Sequence, residues 1–355
     1  IQVYSKDVDF VLNTLKKSNL HKYTYDIGSI DKTDKLSFSL HKKELITANT
    51  KTLLENWHRV GFEIQSLRDN PETAKSEFEM DTDLDQLGLS PKINFSIPKK
   101  DIRSSNPTLA ILREQGVNGQ NEMAAAFTEV GFDCIDVHMT DLISNRYKLG
   151  DFQGLVACGG FSYGDVLGAG GGWAKTIIYN ENLSKQFYDF FHNDHVFSLG
   201  VCNGCQTLSN LSSLIPGTEG WPDFLKNSSE KFEARLVQVK VNDSPSIFFK
   251  GMAGSVIPVP VAHGEGRASF TDENIKNKKN YTISYVNDKG KETDVYPANP
   301  NGSTNGIAGV TNSIGNVTIM MPHPERAFLK DQLSWSPDDW DCLLYTSPSP
   351  RDLTT

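Results

Sequence analysis

Beyond Pro107 the chain falls into short apolar runs separated by polar, helix-like stretches. TLAILREQ reads as a buried strand, NEMAAAFTEVG as a helix ending at Gly131, and FDCIDVHM and GLVACGG as two further strands. ENLSKQFYDFFHN is predicted to be a helix that feeds the strand HVFSLGV, and CQTLSNLSSL a helix after it. Strand and helix alternate, which implies a doubly wound, mainly parallel α/β sheet with sites at the carboxyl ends of its strands. After about Phe232 further strand-like runs (FEARLVQVKV, SVIPVPVAHG, YTISYV, NVTIMM) add strands to that sheet or its rim.

The front of the chain is patterned differently. Residues 1 to about 50 alternate short apolar and polar runs, such as KLSFSL at 35–40, like the end of an α/β or α+β domain. From Thr52 to Leu67 the residues Leu53, Leu54, Trp57, Val60, Ile64 and Leu67 recur at three and four, predicting an amphipathic helix. The stretch from Arg68 to Pro107 is acidic, rich in turn formers and weakly periodic, and reads as a linker draped over a neighbour.

Composition narrows the classes. The apolar fraction of 38% fits a globular protein, and the net charge of −9 argues against nucleic-acid or anionic-membrane partners, which want a basic face. No apolar run is long enough to span a bilayer, and the opening IQVYSKDVDF carries charges where a signal peptide would have its apolar core. A cytoplasmic protein is expected. The chain has no initiator methionine, so a piece of something longer is expected too.

Five scattered cysteines form no disulfide framework, but two of them, Cys202 and Cys205, stand three apart in LGVCNGCQTLSNL. A zinc site would need further ligands at short spacing, and Cys134, Cys158 and Cys342 are isolated. Spacing alone leaves a redox dithiol open. The third reading is a single nucleophile: GVCNG is Gly-x-nucleophile-x-Gly at a strand-to-helix turn, where flanking glycines admit a crowded backbone. The helix starting there would set its positive end near the Cys202 sulfur and favour the thiolate. Cys205 then becomes a packed residue of the first helical turn.

A nucleophilic cysteine needs a base and a group to orient it. Of eight histidines, His323 in MPHPER follows an apolar strand, and Glu325 lies two residues on, on the same side of the backbone. A carboxylate there can hold one imidazole nitrogen and leave the other for the thiol. His263 in VAHGEGR is the second candidate, but glycines on both sides leave Glu265 poorly fixed, which favours a structural or partner-contacting role. Gly160, after the strand GLVAC, and Asn203, after the nucleophile, present backbone N–H groups for an oxyanion. The glycines of VLGAGGGWAK lack the GK[ST] ending of a phosphate loop.

GVCNGCQ, GGFSYGD and MPHPER resemble the nucleophile, oxyanion and His-Glu motifs of class I glutamine amidotransferases. The fuller strings REQGVNG, DVHMTDL, GGFSYGDVLGAG, AHGEGR and LRDNPE are similar to the branch of that family fused, in one long chain, to an ATP-dependent synthetase of purine biosynthesis. The resemblance runs from roughly Trp57 to Trp340. It implies that residues 1–51 are the tail of the synthetase (AIR synthase-like) domain, 52–106 a helix and linker, and 107–341 the amidotransferase domain. It further implies Cys202 as nucleophile, His323 as acid and base, Glu325 as its orienter, Gly160 and Asn203 as oxyanion donors, and Gln206 as a contact to substrate glutamine. The implied partners are glutamine and the synthetase half, which aminates formylglycinamide ribonucleotide. No cofactor or metal is expected in this piece, with ATP and Mg2+ belonging to the full-length enzyme. Two departures stand out. Gly171 replaces the glutamate usual in the family, leaving a more flexible loop, and CLLYTSPSPRDLTT (342–355) resembles nothing in it and suggests a cloning or assembly artefact. Two other readings stay open: a piece inactive without its synthetase half, and another cysteine hydrolase of the same fold.

Overall fold

In the computed structural model, residues 1–95, 106–271, 278–329, 332–334, 336 and 340 are described. The chain divides into two compact units, Ile1–Asn56 and Trp57–Thr355. In the first, α1 (Val8–Lys17) precedes a hairpin of β1 (Lys35–Leu40) and β2 (Lys43–Asn49), paired antiparallel with a register shift between Phe38 and Ser39. Every β1 side chain is exposed, Phe38 at 57%, so this unit buries no core of its own.

The second unit is reached through α2 (Thr50–Arg68). That helix is where the periodicity placed it, but its apolar stripe is not buried: Trp57 is 83% and Leu67 91% exposed. It packs instead through Phe62, which stacks on Phe78 of α3 (Pro71–Asp81) with ring centroids 4.8 Å apart. The helix α3 lies where a linker was expected. Its start is explained by Asn70, whose side chain accepts from the N–H groups of Glu72 and Thr73, and by Pro71, pre-set for a first helical position. The polar linker reading weighed acidic composition above this capping signal. Downstream, Lys92 exchanges backbone hydrogen bonds of 2.9 and 2.8 Å with Val256, so the segment does drape along a strand. Glu77 of α3 is bonded to Arg235 at 2.9 Å and Lys231 at 3.3 Å. These contacts join residues from Trp57 onward to the sheet unit, placing the contact boundary at 56/57 beside the expected divisions at 51/52 and 106/107. The expected tail, 342–355 with Cys342, lies outside the described residues.

From Thr108 the order is β3 (Thr108–Arg113), α4 (Gln120–Glu129), β4 (Asp133–His138), α5 (Met139–Ile143), β5 (Gly154–Ala157), α6 (Gly171–Ile178), α7 (Glu181–Phe191), β6 (Phe197–Val201) and α8 (Asn203–Asn210). Then come β7 (Asp223–Leu225), β8 (Glu233–Val241), β9 (Val256–His263), β10 (Arg267–Ser269), β11 (Tyr281–Tyr285), β12 (Ile307–Thr311) and β13 (Val317–Met320). Nine strands form one sheet in the order β4-β3-β5-β6-β13-β12-β11-β8-β9, while β7 and β10 pair as a separate ribbon. The first five strands run parallel, and the other four continue the sheet antiparallel. Every residue of β5 and β6 is buried, as continuous apolar strands covered on both faces require. Trp173, Phe127, Phe187 and Leu208 from the flanking helices close over them.

One register decides where the chemistry can sit. The strand β13 pairs in parallel with β6, Met320 opposite Val201, so the residues following both strands emerge side by side at the carboxyl edge. The N–H of Cys202 donates to Met320 O at 2.9 Å.

Candidate active site

Cys202 stands between β6 and α8 with φ 53° and ψ −109°, a conformation that non-glycine residues rarely adopt. The glycines around it are there for packing. A side chain on Gly204 would begin 1.9 Å from Ala157 O, because α8 lies directly on β5, and one on Gly200 would meet Gly204 O at 2.8 Å. The turn therefore closes only with glycine on both sides, and the cysteine takes the strained position. Its thiol donates to Ala262 O at 3.6 Å.

His323 follows β13, and its N–H donates to Pro260 O at 2.8 Å. Its Nδ1–H donates to Glu325 Oε1 at 2.7 Å, with both side chains 1% exposed. Nε2 makes no hydrogen bond of ordinary length and angle among the described residues. It is left for Cys202, which is close enough for its charge to act on the imidazole. Burial alone would lower the His323 pKa, but the Glu325 carboxylate and, after it, the neighbouring Cys202 overcome it and raise the pKa to about 10. Gly159 fills the space between the partners: a Cβ there would lie 2.6 Å from His323 Cε1 and 3.3 Å from Cys202 Cβ.

The loop after β5 lies alongside. Gly160 has φ 149°, and a Cβ on it would come within 2.5 Å of Val117 Cα, so the loops after β3 and β5 are in backbone contact. Gly119 N and Asn118 N donate to Gly159 O, and Phe161 N donates to Gly116 O, which fixes the Gly160 peptide. The Gly160 N–H is used in none of these bonds. Asn203 opens α8, and the first N–H groups of a helix have no acceptor within it. Among the described residues, neither N–H read as an oxyanion donor has a backbone acceptor in a turn, loop or cap. The Asn203 side chain ties the same loop down, accepting from Ser162 N at 3.2 Å and donating to Asp165 Oδ1 at 3.0 Å. Gln206, one turn on, is 3% exposed; its Nε2 donates to Glu265 O and its Oε1 accepts from Asn203 at 3.4 Å.

His263 is also buried. Its Nε2 accepts from Asn301 Nδ2 at 3.1 Å, and its Nδ1 has no partner among the described residues. Burial, and after it the charge of His323, lowers its pKa to about 3, which keeps it neutral. Glu265, read from its glycine neighbours as poorly fixed, is held after all: Ala169 N donates to its Oε2 at 3.0 Å. Cys205 is fully buried in α8, and burial raises its thiol well above the ordinary range. Gly171 opens α6 after the left-handed Gly170, with only Leu167 Cβ at 3.8 Å from a Cβ placed on it. Asp165, in the same GGFSYGD motif, was given no role from sequence; its place beside Asn203 becomes visible only in three dimensions.

Residues 106–349 match the family model of the CobB/CobQ-like glutamine amidotransferase domain, more than half of the chain. The chain belongs to the glutamine amidotransferase family. Among solved structures, that of PurLQS from Thermotoga maritima is similar at 30% identity and a TM-score of 0.51, covering 64% of this chain and 92% of that one. This similarity supports the resemblance of the amidotransferase to the glutaminase portion of a phosphoribosylformylglycinamidine synthase. Two other similar structures are a glutamine amidotransferase from Thermotoga maritima (14% identity, TM-score 0.36, 63% of this chain and 77% of that one) and the glutaminase domain of Trypanosoma brucei CTPS with bound acivicin (15% identity, TM-score 0.36, 62% and 86%).

Proposed function

We propose that the chain is the glutaminase portion of a phosphoribosylformylglycinamidine synthase, hydrolysing glutamine to glutamate and ammonia. The observation that carries this reading is the strained Cys202 at the head of α8, beside a buried His323–Glu325 pair whose free nitrogen is left for the thiol. With its pKa near 10, His323 is an imidazolium at neutral pH and holds the proton that the sulfur gives up. The Cys202 thiolate attacks the side-chain amide carbon of glutamine, forming the C–S bond. The amide oxygen becomes an oxyanion, for which the N–H groups of Gly160 and Asn203 are available donors. The C–N bond then breaks as His323 gives its proton to the leaving nitrogen, releasing ammonia and leaving a γ-glutamyl thioester. Water attacks the thioester and passes a proton to His323; the thiolate leaves and glutamate is released. Glu325 holds the ring in one orientation through both halves.

The ammonia goes to the synthetase half of the full-length enzyme, converting formylglycinamide ribonucleotide to formylglycinamidine ribonucleotide in purine biosynthesis. The similarity to PurLQS supports this destination. ATP with Mg2+ supplies activation of the acceptor's amide oxygen in that other half. Among the described residues here no group of His, Cys, Asp or Glu is arranged to hold a metal ion.

The test is glutamate and ammonia release from glutamine by the chain alone and with the synthetase half added. Release that Cys202→Ala abolishes supports the reading. Release that Cys202→Ala leaves intact contradicts it, and release only with the synthetase half identifies a piece dependent on its partner.

A further inference from the structure

The turn after β5 is held in an unfavourable shape. Tyr163 (φ 53°, ψ 29°), Gly164 (φ 63°) and Asp165 (φ 54°) have positive φ in succession, a region that residues with side chains keep only where their surroundings impose it. Gly160, whose N–H is read above as an oxyanion donor, lies three residues before Tyr163.

What imposes that shape is a cluster at the carboxyl edge of β4, β3 and β5, which neighbour one another in that order. Glu114, the first residue after β3, is 6% exposed; its Oε1 accepts from Gln115 N at 2.8 Å and lies 3.5 Å from Nε2 of His138, the last residue of β4. His138 Nδ1 accepts from Thr140 N at 3.2 Å, so Nε2 carries the proton, on the side of Glu114. Tyr163 comes in from the β5 loop. Its hydroxyl accepts from Thr176 Oγ1 at 3.3 Å, which leaves the phenol proton for an acceptor, and the Glu114 carboxylate is near enough to take it. Burial first, and then Glu114 against the opposing bond from Thr176, push that phenol above its ordinary range. The ring is seated too: a Cβ on Gly172 of α6 would lie 2.8 Å from its Cδ2.

Backbone bonds carry this hold to the donor peptide. Tyr163 N donates to Gln115 O at 3.0 Å and Phe161 N to Gly116 O at 2.9 Å, so the residues that follow Glu114 fix the loop as far as the Gly160–Phe161 peptide. We infer that Tyr163 is a positioning residue: its hydroxyl, latched to Glu114 and Thr176, keeps the turn after β5 in its strained conformation and so keeps the Gly160 N–H in place for the oxyanion. This rests on the glutaminase reading above and deepens it. Without the latch the turn relaxes, and the Gly160 peptide rotates away from the developing charge.

The test makes Tyr163→Phe, Glu114→Gln and the double variant in the chain together with its synthetase half. Two rates are read: hydrolysis of glutamine, and alkylation of Cys202 by iodoacetamide, located by peptide mapping. In alkylation the thiolate displaces iodide, so the reaction needs an intact thiolate but builds no oxyanion. Tyr163→Phe keeps the ring on Gly172 and removes the latch; kcat should fall roughly 10- to 100-fold with KM for glutamine nearly unchanged. Cys202 should still be alkylated at the wild-type rate. Glu114→Gln, which offers one acceptor oxygen where the carboxylate has two, should lower kcat in the same way, and the double variant should be no worse than the poorer single one. An unchanged kcat in Tyr163→Phe, a parallel loss of alkylation, or losses that multiply in the double variant would overturn the inference. If the wild type with its synthetase half hydrolyses no glutamine, the glutaminase reading fails and takes this inference with it.

Discussion

The Nδ1 of His323 and the Oε1 of Glu325 are 2.7 Å apart in a site that leaves each side chain 1% exposed. A buried carboxylate so placed fixes the ring and holds its proton. Replacing Glu325 with Gln should lower the His323 pKa from about 10, because the stabilising charge is gone while the burial remains. In the wild type, glutamine hydrolysis should fall as pH rises through about 10, where the proton donor is lost. In Glu325→Gln the fall should start at lower pH, and kcat at neutral pH should drop on the order of 10²- to 10⁴-fold. A pH profile of kcat/KM for both proteins measures this.

The same shift affects stability. The folded pKa of His323 lies above the ordinary 6.5, so its stabilising contribution is fully present below about 6.5 and is lost as pH rises through about 10. His263 behaves oppositely. Its folded value near 3 lies below 6.5, so the unfolded chain binds that proton first and stability falls as pH drops from about 6.5 toward 3. The difference corresponds to roughly 5 kcal/mol as an upper bound. Thermal unfolding between pH 4 and 7, as round working values, should show a smaller acid slope for His263→Asn than for the wild type.

Substituting the two histidines separates their roles. His323→Ala should lower glutamine hydrolysis far more than His263→Ala, which should mainly lower the melting temperature by emptying a buried site and removing one of the acceptors of Asn301. Equal losses of kcat in well-folded variants would contradict the assignment.

Gly159 is legible as a steric prediction. An added Cβ would meet His323 Cε1 at 2.6 Å, so Gly159→Ala should displace the imidazole and cost roughly 100-fold in kcat. Gly204→Ala meets backbone instead, Ala157 O at 1.9 Å, and should appear as a loss of roughly 3 kcal/mol or more in denaturant unfolding.

The sheet was legible because parallel strands such as LAIL of β3 and GLVA of β5 are apolar runs punctuated by glycine, and each lies where its run predicts. What the pattern could not show was order and direction: that β13, more than a hundred residues after β6, pairs beside it, and that four strands continue antiparallel. Those depend on contacts distant in the chain. The helix α3 was missed because an acidic composition hid an Asn-Pro capping signal, and the apolar stripe of α2 does not mark the face that packs, since the helix packs through Phe62. At the candidate site, Cys202, His323 and Glu325 could be singled out because each lies in a short motif at a strand end. The hold of Ala169 on Glu265 and of Asn203 on Asp165 could not, since each joins separate loops.

The central claim is that one thiolate, that of Cys202, performs the chemistry while Cys205 is packing. Labelling the folded chain with azaserine, an electrophile that mimics glutamine, and mapping the modified peptide tests it most directly. The account expects a single label on Cys202, prevented by excess glutamine and absent from Cys202→Ala. A label on Cys205, or none on a well-folded chain in the presence of its synthetase half, would contradict it.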